Sequence, residues 1–291
     1  MKEILSSPVA KRILQTKALL SPKARLLADF ILSNPQKTVF MTSRELAETC
    51  GVSEATVVRF VSRIGYARYS DYIQSLRDFM DTEMTLPDRS RMIQMNGNTT
   101  DRLWRIITRE MDNLERFYHS ADPEILSRMI DQMHRQSPLY VIGARVSFTF
   151  AYYMGWSLTK IRPDTRILDG SNSTTLDFLS MAPPSSLIII ITTSRYPKEL
   201  VHLGKIVRQN KLTLLIITDS RLCPLIPFAD LSLVAPSKHI PFIGAPATIT
   251  SIINYLVMEL ADKSAAATAR HQQKLEQTYR ENDILYNLPV E

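Results

Sequence analysis

Along the first 82 residues, apolar side chains recur every three or four positions, which is the spacing of helices with one buried face. Ser21 stands directly before one proline and Asn34 before another. These two positions mark the start and the end of a helix, since serine caps free N–H groups and a helix rarely continues into proline. Another helix opens at Ser70-Asp71. Residues 1–82 are therefore predicted to be all helical.

The second half of the chain alternates continuous apolar runs with helical stretches. Uninterrupted runs of Leu, Ile and Val are typical of strands buried on both faces. Strand candidates lie at 139–142, 187–191, 212–217 and 231–234, with a weaker one at 167–169. Helix candidates lie at 101–118, 122–135, 145–160, 174–181, 198–209, 244–262 and 266–284. The alternation predicts an α/β domain with a parallel sheet flanked by helices.

Between these halves the periodic pattern lapses. Turn signals occur at 86–88 (Leu-Pro-Asp) and 96–98 (Asn-Gly-Asn), with little apolar periodicity between them. We expect a helical domain over residues 1–82, a linker and connecting helix over 83–120, and the α/β domain over 121–291.

The segment TSRELAETCGVSEATVVRFVSRIG, residues 42–65, predicts a helix-turn-helix. Ala47 supplies the small residue needed where two helices cross, Gly51 permits a positive φ in the turn, and Val57 docks the second helix on the first. Thr42 and Glu45 form a capping box at the start of the first helix. This combination favours the reading of duplex DNA.

The second helix of the motif presents polar and basic residues opposite its packing face. Thr56, Arg59 and Arg63 share that side, with Ser53 and Glu54 at the helix start. The start of such a helix meets base edges in the major groove, where arginine pairs with guanine in a bidentate way. Any one arginine is equally well explained as a solvated surface residue, but the set favours DNA. The candidate DNA-binding residues are Lys23, Arg44, Ser53, Glu54, Thr56, Arg59, Arg63 and Arg68, of which Lys23, Arg44, Arg63 and Arg68 are candidate phosphate contacts.

Charge and composition agree with this division. Residues 1–80 carry 12 Lys and Arg against 7 Asp and Glu, and residues 81–291 carry 23 against 22, so the basic excess accompanies the helical motif.

No apolar run reaches the roughly 20 residues of a membrane span. Cys50 and Cys223 are the only cysteines, and the histidines show no metal-ligand spacing. We expect a cytoplasmic protein with no disulfide, metal, cofactor or catalytic site.

Residues 20–79 resemble the N-terminal domain of the RpiR-type bacterial transcriptional regulators. The resemblance is carried by GVSEATVVRF at 51–60, Ile64-Gly65-Tyr66 and Tyr69-Ser70-Asp71. It implies a repressor or activator that works as a homodimer or homotetramer on a near-palindromic operator.

Hydroxyl-rich loops follow three of the predicted strands, at 143–147, 192–197 and 218–220. In a parallel sheet, ligands bind beyond the carboxyl ends of the strands, and hydroxyls with free N–H groups suit a phosphate. Such loops are also ordinary helix caps, so the pattern alone leaves both interpretations open.

The order of elements over residues 139–234 resembles the sugar-isomerase (SIS) domain of the same regulators. That resemblance implies that Ser147 and residues 192–194 bind the phosphate of a sugar or aminosugar phosphate. The candidate ligand-binding residues are Arg145, Ser147, Thr192, Thr193, Ser194 and Arg195. Arg145 and Arg195 depart from the family, whose phosphate loops have glycine there. Each either pairs with an anionic group of the ligand or fills the pocket and pairs with the chain's own carboxylates.

The sequence thus predicts a transcriptional regulator of carbohydrate metabolism whose operator binding is controlled by a phosphorylated sugar. The alternative is a sugar-phosphate isomerase with an accessory helical domain. An isomerase needs a Glu or His base beside the substrate, and the loops named above offer none, so sensing is favoured over turnover. Dinucleotide binding is disfavoured because the loop after the first strand lacks the glycine-rich fingerprint.

Overall fold

The chain folds as two units, Met1–Arg89 and Ser90–Glu291. Among the described residues, the first unit has one hydrophobic core cluster and the second has two. The computed structural model describes residues 7–39, 41–83, 98–193, 195–235 and 246–286. Residues 84–97 of the predicted linker and connecting helix lie outside these described residues.

The N-terminal unit is helical over its described residues. Its helices are α1 (Pro8–Thr16), α2 (Pro22–Ser33), α3 (Pro35–Thr38), α4 (Ser43–Thr49), α5 (Glu54–Arg63) and α6 (Tyr69–Glu83). The predicted caps are confirmed: the Ser21 hydroxyl accepts from the Ala24 N–H, and Thr42 and Glu45 close a capping box at α4. Helices α1 and α3 were not predicted as separate elements.

One apolar face of each helix closes the core of this unit. Leu27 of α2, Leu46 of α4, Phe60 of α5 and Tyr72 of α6 are fully buried in a single cluster. Burying a side chain of this size stabilises the fold by about 1.5–3 kcal/mol. The packing therefore fixes α4 and α5 against the rest of the unit.

The C-terminal unit is a parallel sheet covered by helices, which confirms the predicted fold class. Its strands are β1 (Leu139–Gly143), β2 (Thr165–Asp169), β3 (Leu187–Thr192), β4 (Thr213–Thr218) and β5 (Leu231–Val234). Its helices are α7 (Thr99–Ser120), α8 (Pro123–Arg135), α9 (Val146–Thr159), α10 (Ser173–Ser180), α11 (Lys198–Gln209), α12 (Pro246–Lys263) and α13 (Ala265–Glu281). Within the described residues the sheet has five strands in the order β2-β1-β3-β4-β5, all paired in parallel.

Alternate residues of each central strand enter different cores, as the two-faced burial of such a sheet requires. Ile189 and Ile191 of β3 pack in one cluster with residues of α8, α9 and α12. Ile188 and Ile190 pack in another with residues of α10 and α11. The sheet is thus the middle layer of three.

None of the described helices is both long enough and apolar enough to cross a membrane.

Candidate functional sites

The turn between α4 and α5 depends on the backbone of Gly51. Its φ is +64°, and an added Cβ would meet nothing within 4 Å. Glycine is therefore favoured here by conformation and not by space. The Val52 N–H donates to the Ala47 carbonyl at 3.0 Å and closes the turn. Ala47 and Val57 are buried where α4 and α5 pack, as the spacing predicts.

A chain of hydrogen bonds runs along the start of α5. The Ser53 hydroxyl accepts from the Thr56 N–H at 3.3 Å and lies 2.9 Å from the Thr56 hydroxyl. The Arg59 Nη2 donates to that same Thr56 hydroxyl at 3.2 Å. The structure thus links three side chains of the predicted DNA-binding set by hydrogen bonds. Because the guanidinium of Arg59 is already held, it would lose less rotamer freedom on binding a partner.

The remaining DNA-binding candidates are exposed. Glu54 accepts a hydrogen bond from the Ser43 hydroxyl, which ties the start of α5 to the start of α4. Arg44 pairs with Glu48 at 3.0 Å on the surface of α4, and such an exposed pair is weak, about 0.3–0.5 kcal/mol, so a phosphate can compete for the arginine. The exposed side chains of Lys23, Arg63 and Arg68 complete the set.

Arg12 holds the other end of α5, which sequence analysis missed. Its Nη1 donates to the Gly65 carbonyl at 2.6 Å, and its guanidinium lies 4.5 Å from the centre of the Tyr66 ring. Arg12 and Gly65 are 53 positions apart, so no local pattern pairs them. The contact fixes the C-terminal end of α5 against α1.

The second candidate site lies at the carboxyl ends of β1 and β3. These strands are neighbours, and from them the chain continues in opposite directions across the sheet, from β1 to β2 and from β3 to β4. Such a switch point leaves a crevice in which α/β proteins bind ligands. The Ser147 and Thr193 hydroxyls lie 3.2 Å apart there, and the Thr193 N–H donates to the Ser147 Oγ at 3.2 Å. Two predicted ligand-binding residues thus meet at this point, which we call the switch-point edge.

Gly143 allows α9 to begin directly over the end of β1. A Cβ at Gly143 would lie 2.5 Å from the Ser147 carbonyl oxygen, which is closer than atoms can approach. A larger residue would push the first turn of α9 outwards. Gly143 therefore sets the position of Ser147.

Arg145 and Arg195 adopt backbone conformations that favour glycine. Arg145 has φ 56° and ψ −131°, and Arg195 has φ 66°. Holding a non-glycine residue in such a region costs about 1–3 kcal/mol. Both side chains are exposed at the switch-point edge. The two positions where glycine was expected thus keep a glycine-like backbone while carrying a guanidinium.

Thr192 ends β3 with a buried hydroxyl. Its side chain is 0% exposed, and its Oγ1 has no hydrogen-bond partner among the described residues. An unsatisfied buried hydroxyl costs about 1–3 kcal/mol, which a ligand oxygen would offset. Ser194, the other predicted member of this loop, lies outside the described residues.

Tyr196 and Asp219 pair across the loops that follow β3 and β4. The Tyr196 hydroxyl donates to the Asp219 Oδ1 at 2.9 Å, and Asp219 is 5% exposed. Burial, and then the neighbouring Asp219 carboxylate, raise the pKa of Tyr196, so its hydroxyl remains a donor. Burial also raises the pKa of Cys223 to about 11, which keeps it a thiol. Sequence analysis missed the Tyr196–Asp219 pair because 23 positions separate them.

A carboxylate also stands at this edge. Glu199 is in the first turn of α11, and a side chain at Gly170 would meet its Oε2 at 3.4 Å. The loop residues considered in sequence analysis include no Glu or His, but Glu199 brings a glutamate carboxylate close to Gly170, at the carboxyl end of β2, from the first turn of α11. Among the described residues, no group of three or more His, Cys, Asp or Glu side chains is arranged to hold a metal ion.

Comparisons with protein families cover both units. Residues 8–82 match the helix-turn-helix domain of the rpiR family, and residues 132–261 match the SIS domain. An uncharacterized HTH-type transcriptional regulator of Providencia stuartii is 23% identical over 217 residues, which are 71% of this chain and 73% of that protein. One of Haemophilus influenzae is 24% identical over 233 residues, 76% and 77% of the two chains.

Two solved structures share the fold. The Vibrio vulnificus NanR protein complexed with ManNAc-6P has a TM-score of 0.58 at 21% identity, over 97% of this chain and 100% of that chain. The sugar isomerase domain of an RpiR transcription factor from Sphaerobacter thermophilus has a TM-score of 0.57 at 21% identity, over 60% of this chain and 97% of that chain.

Proposed function

The chain belongs to the RpiR-type bacterial transcriptional regulators, with a helix-turn-helix domain of the rpiR family joined to a SIS domain, and from this premise we propose that a phosphorylated sugar controls its binding to a specific DNA operator. The proposal is carried by one observation above the rest. The Ser147–Thr193 junction lies at the switch point of the sheet, in a chain that also bears a capped basic reading helix.

Helix α5 supports the DNA-binding half of the proposal. Its exposed side bears the linked side chains of Ser53, Thr56 and Arg59, and we propose that Arg59 pairs with a guanine in the major groove. Glu54 contributes a carboxylate that can accept from a cytosine amino group. Lys23, Arg44, Arg63 and Arg68 supply positive charge for the phosphate backbone.

The switch-point edge supports the ligand-binding half. Ser147, Thr192 and Thr193 offer hydroxyls for a phosphate at the start of α9 and the end of β3. Arg145 and Arg195 offer guanidinium groups, and we propose that they pair with the phosphate or with a second anionic group of the ligand. Ser194 is proposed for the same site from the sequence. Because the Vibrio vulnificus NanR structure is a complex with ManNAc-6P, aminosugar phosphates are the first candidates.

We further propose that the protein works as a dimer or tetramer in the cytoplasm. A two-fold symmetric protein presents two copies of α5, and two reading helices require a near-palindromic operator with matched half-sites. Ligand binding would act by changing how the two helices are presented, which alters affinity only if the ligand prefers one arrangement.

The test combines selection with release. Duplexes are selected from a randomised pool with the full-length protein, and the selected duplex is then challenged with sugar phosphates and aminosugar phosphates, each beside its unphosphorylated sugar. The proposal expects a defined duplex and a change in its retention by one phosphorylated compound. Failure to select any sequence would reject the DNA-binding half, and an unresponsive complex would reject the control by sugar phosphate.

The second candidate function is sugar-phosphate isomerisation, because Glu199 places a possible base at the switch-point edge. A Glu199→Gln variant separates the two functions. Turnover of a sugar phosphate that is lost in Glu199→Gln, in a protein that selects no DNA sequence, would establish the isomerase. A sensor would show no turnover and would keep its ligand-dependent release in this variant.

A further inference from the structure

Val58 is an exposed apolar side chain in the middle of α5, whose other large apolar side chains are buried. Its neighbours Val57, Phe60 and Val61 are almost completely buried in the core of the N-terminal unit, whereas Val58 is 49% exposed. Sequence analysis assigned it neither to the core nor to the DNA-reading face.

The helical spacing places Val58 among the candidate reading residues. Ala55 lies three positions before it and Ser62 four positions after it, so the three lie in a row on one face of α5. Both of these neighbours are exposed, and so is Arg59, the next residue along the helix. The exposed side of α5, which carries Arg59, thus also carries an apolar spot made by Val58 and Ala55.

Helix propensity does not favour a valine at this position. A β-branched side chain has a lower helix propensity than alanine or a long straight side chain, because it loses rotamer freedom against the preceding turn. About half of Val58 is exposed to water. Its partial burial therefore stabilises the fold less than the burial of a core valine does. A surface position of α5 facing only solvent would favour a charged or polar helix former.

The major-groove edge of DNA presents one apolar group, the 5-methyl of thymine. We propose that Val58, together with Ala55, contacts the 5-methyl group of a thymine in each operator half-site, close to the guanine that Arg59 contacts. Val58 is then a specificity-determining residue. This inference rests on the proposed DNA-binding function. It adds to the operator a thymine contact that the hydrogen-bonding side chains alone do not predict.

The test removes that methyl group and nothing else. In the duplex selected with the wild-type protein, each thymine is replaced in turn by deoxyuracil, which has the same hydrogen-bonding edge. The expected result is a loss of about fourfold in affinity at one or two thymines per half-site. This is the change in the binding constant that corresponds to the burial of one methyl group. Replacement at the other thymines is expected to leave the affinity unchanged.

Two variants link the effect to the side chain. Val58→Ser removes both methyl groups of the valine and should lose most of the difference in affinity between the thymine and uracil duplexes, with Ala55 supplying the remainder. Val58→Thr keeps one methyl group and should retain more of the difference than Val58→Ser does. The inference is overturned if no uracil replacement weakens the wild-type protein, or if Val58→Ser keeps the full fourfold difference. If the wild-type protein selects no sequence at all, the proposed DNA-binding function itself fails and this inference fails with it.

Discussion

The Ser147 hydroxyl and the Thr193 hydroxyl lie 3.2 Å apart although 46 positions separate the two residues. The contact joins the loop after β1 to the loop after β3, the two strands at the switch point of the sheet. A ligand oxygen that binds at these hydroxyls must replace or extend this hydrogen bond. Occupation of the proposed site would therefore change how the two loops are held, which would give the ligand a direct means of favouring one conformation.

Ser147→Ala should weaken the binding of a sugar phosphate by about tenfold, since it removes a hydrogen bond to a charged group worth about 1.5–3 kcal/mol. Titration calorimetry with the effector identified by the release screen measures the change. Ser157→Ala is the matched control, because Ser157 lies on the same helix and its hydroxyl only donates to the Tyr153 carbonyl. Equal affinity in the wild-type protein and Ser147→Ala would remove Ser147 from the ligand site.

Arg145→Gly and Arg195→Gly should stabilise the free protein and weaken ligand binding at the same time. Glycine relieves the positive φ at each position, for a gain in the free energy of unfolding of up to about 1 kcal/mol, while the guanidinium is lost. Urea denaturation and ligand titration measure the two effects separately.

Lys211→Gly is the control for these two variants. Lys211 has the same φ as Arg145, 56°, but it lies just before β4, at the opposite end of the strands. It should show the gain in stability with no change in ligand binding. Unchanged ligand affinity in both arginine variants would favour the alternative in which these side chains only fill the pocket.

The sequence is informative about features that depend on neighbouring residues. The caps at Ser21 and Thr42, the turn at Gly51 and the buried runs of the strands all follow from local chemistry, and the structure has them where they are expected. Such features need only a few consecutive positions to be recognised.

Other features depend on how distant segments pack. The order of the strands places Ser147 beside Thr193, and the docking of α1 places Arg12 on the Gly65 carbonyl. The departure of Arg145 from glycine can be read in the sequence, but its positive φ can be read only in the structure. The spacing predicts that Val57 is buried, but it leaves the surroundings of Val58 undetermined.

Arg59→Ala should weaken binding to the selected duplex by about 1–3 kcal/mol and relax the preference at one base pair. Lys23→Ala should instead weaken binding to selected and random duplexes alike and flatten the salt dependence, because a phosphate contact carries no sequence information. Fluorescence anisotropy over a range of salt concentrations distinguishes the two. If Arg59→Ala discriminates between selected and random DNA as well as the wild-type protein does, the face of α5 assigned to base reading is wrong.

Gly51→Ala should lower the free energy of unfolding by about 1 kcal/mol, because the space for a Cβ is free and only the positive φ opposes it. Gly51→Asn should cost less, since asparagine tolerates this conformation better than alanine. Thermal and urea unfolding rank the three proteins. A Gly51→Ala variant as stable as the wild-type protein would contradict the strained turn between α4 and α5.

The central claim is that a sugar phosphate at the switch-point edge controls binding of DNA by α5. The most direct measurement is the affinity of the full-length protein for its selected duplex as one sugar phosphate is titrated, repeated with Ser147→Ala and Ser157→Ala. We predict that affinity changes in the wild-type protein and in Ser157→Ala, and that Ser147→Ala needs about tenfold more ligand for the same change. A ligand response that is identical in all three proteins, or an affinity that no phosphorylated sugar alters, would contradict it.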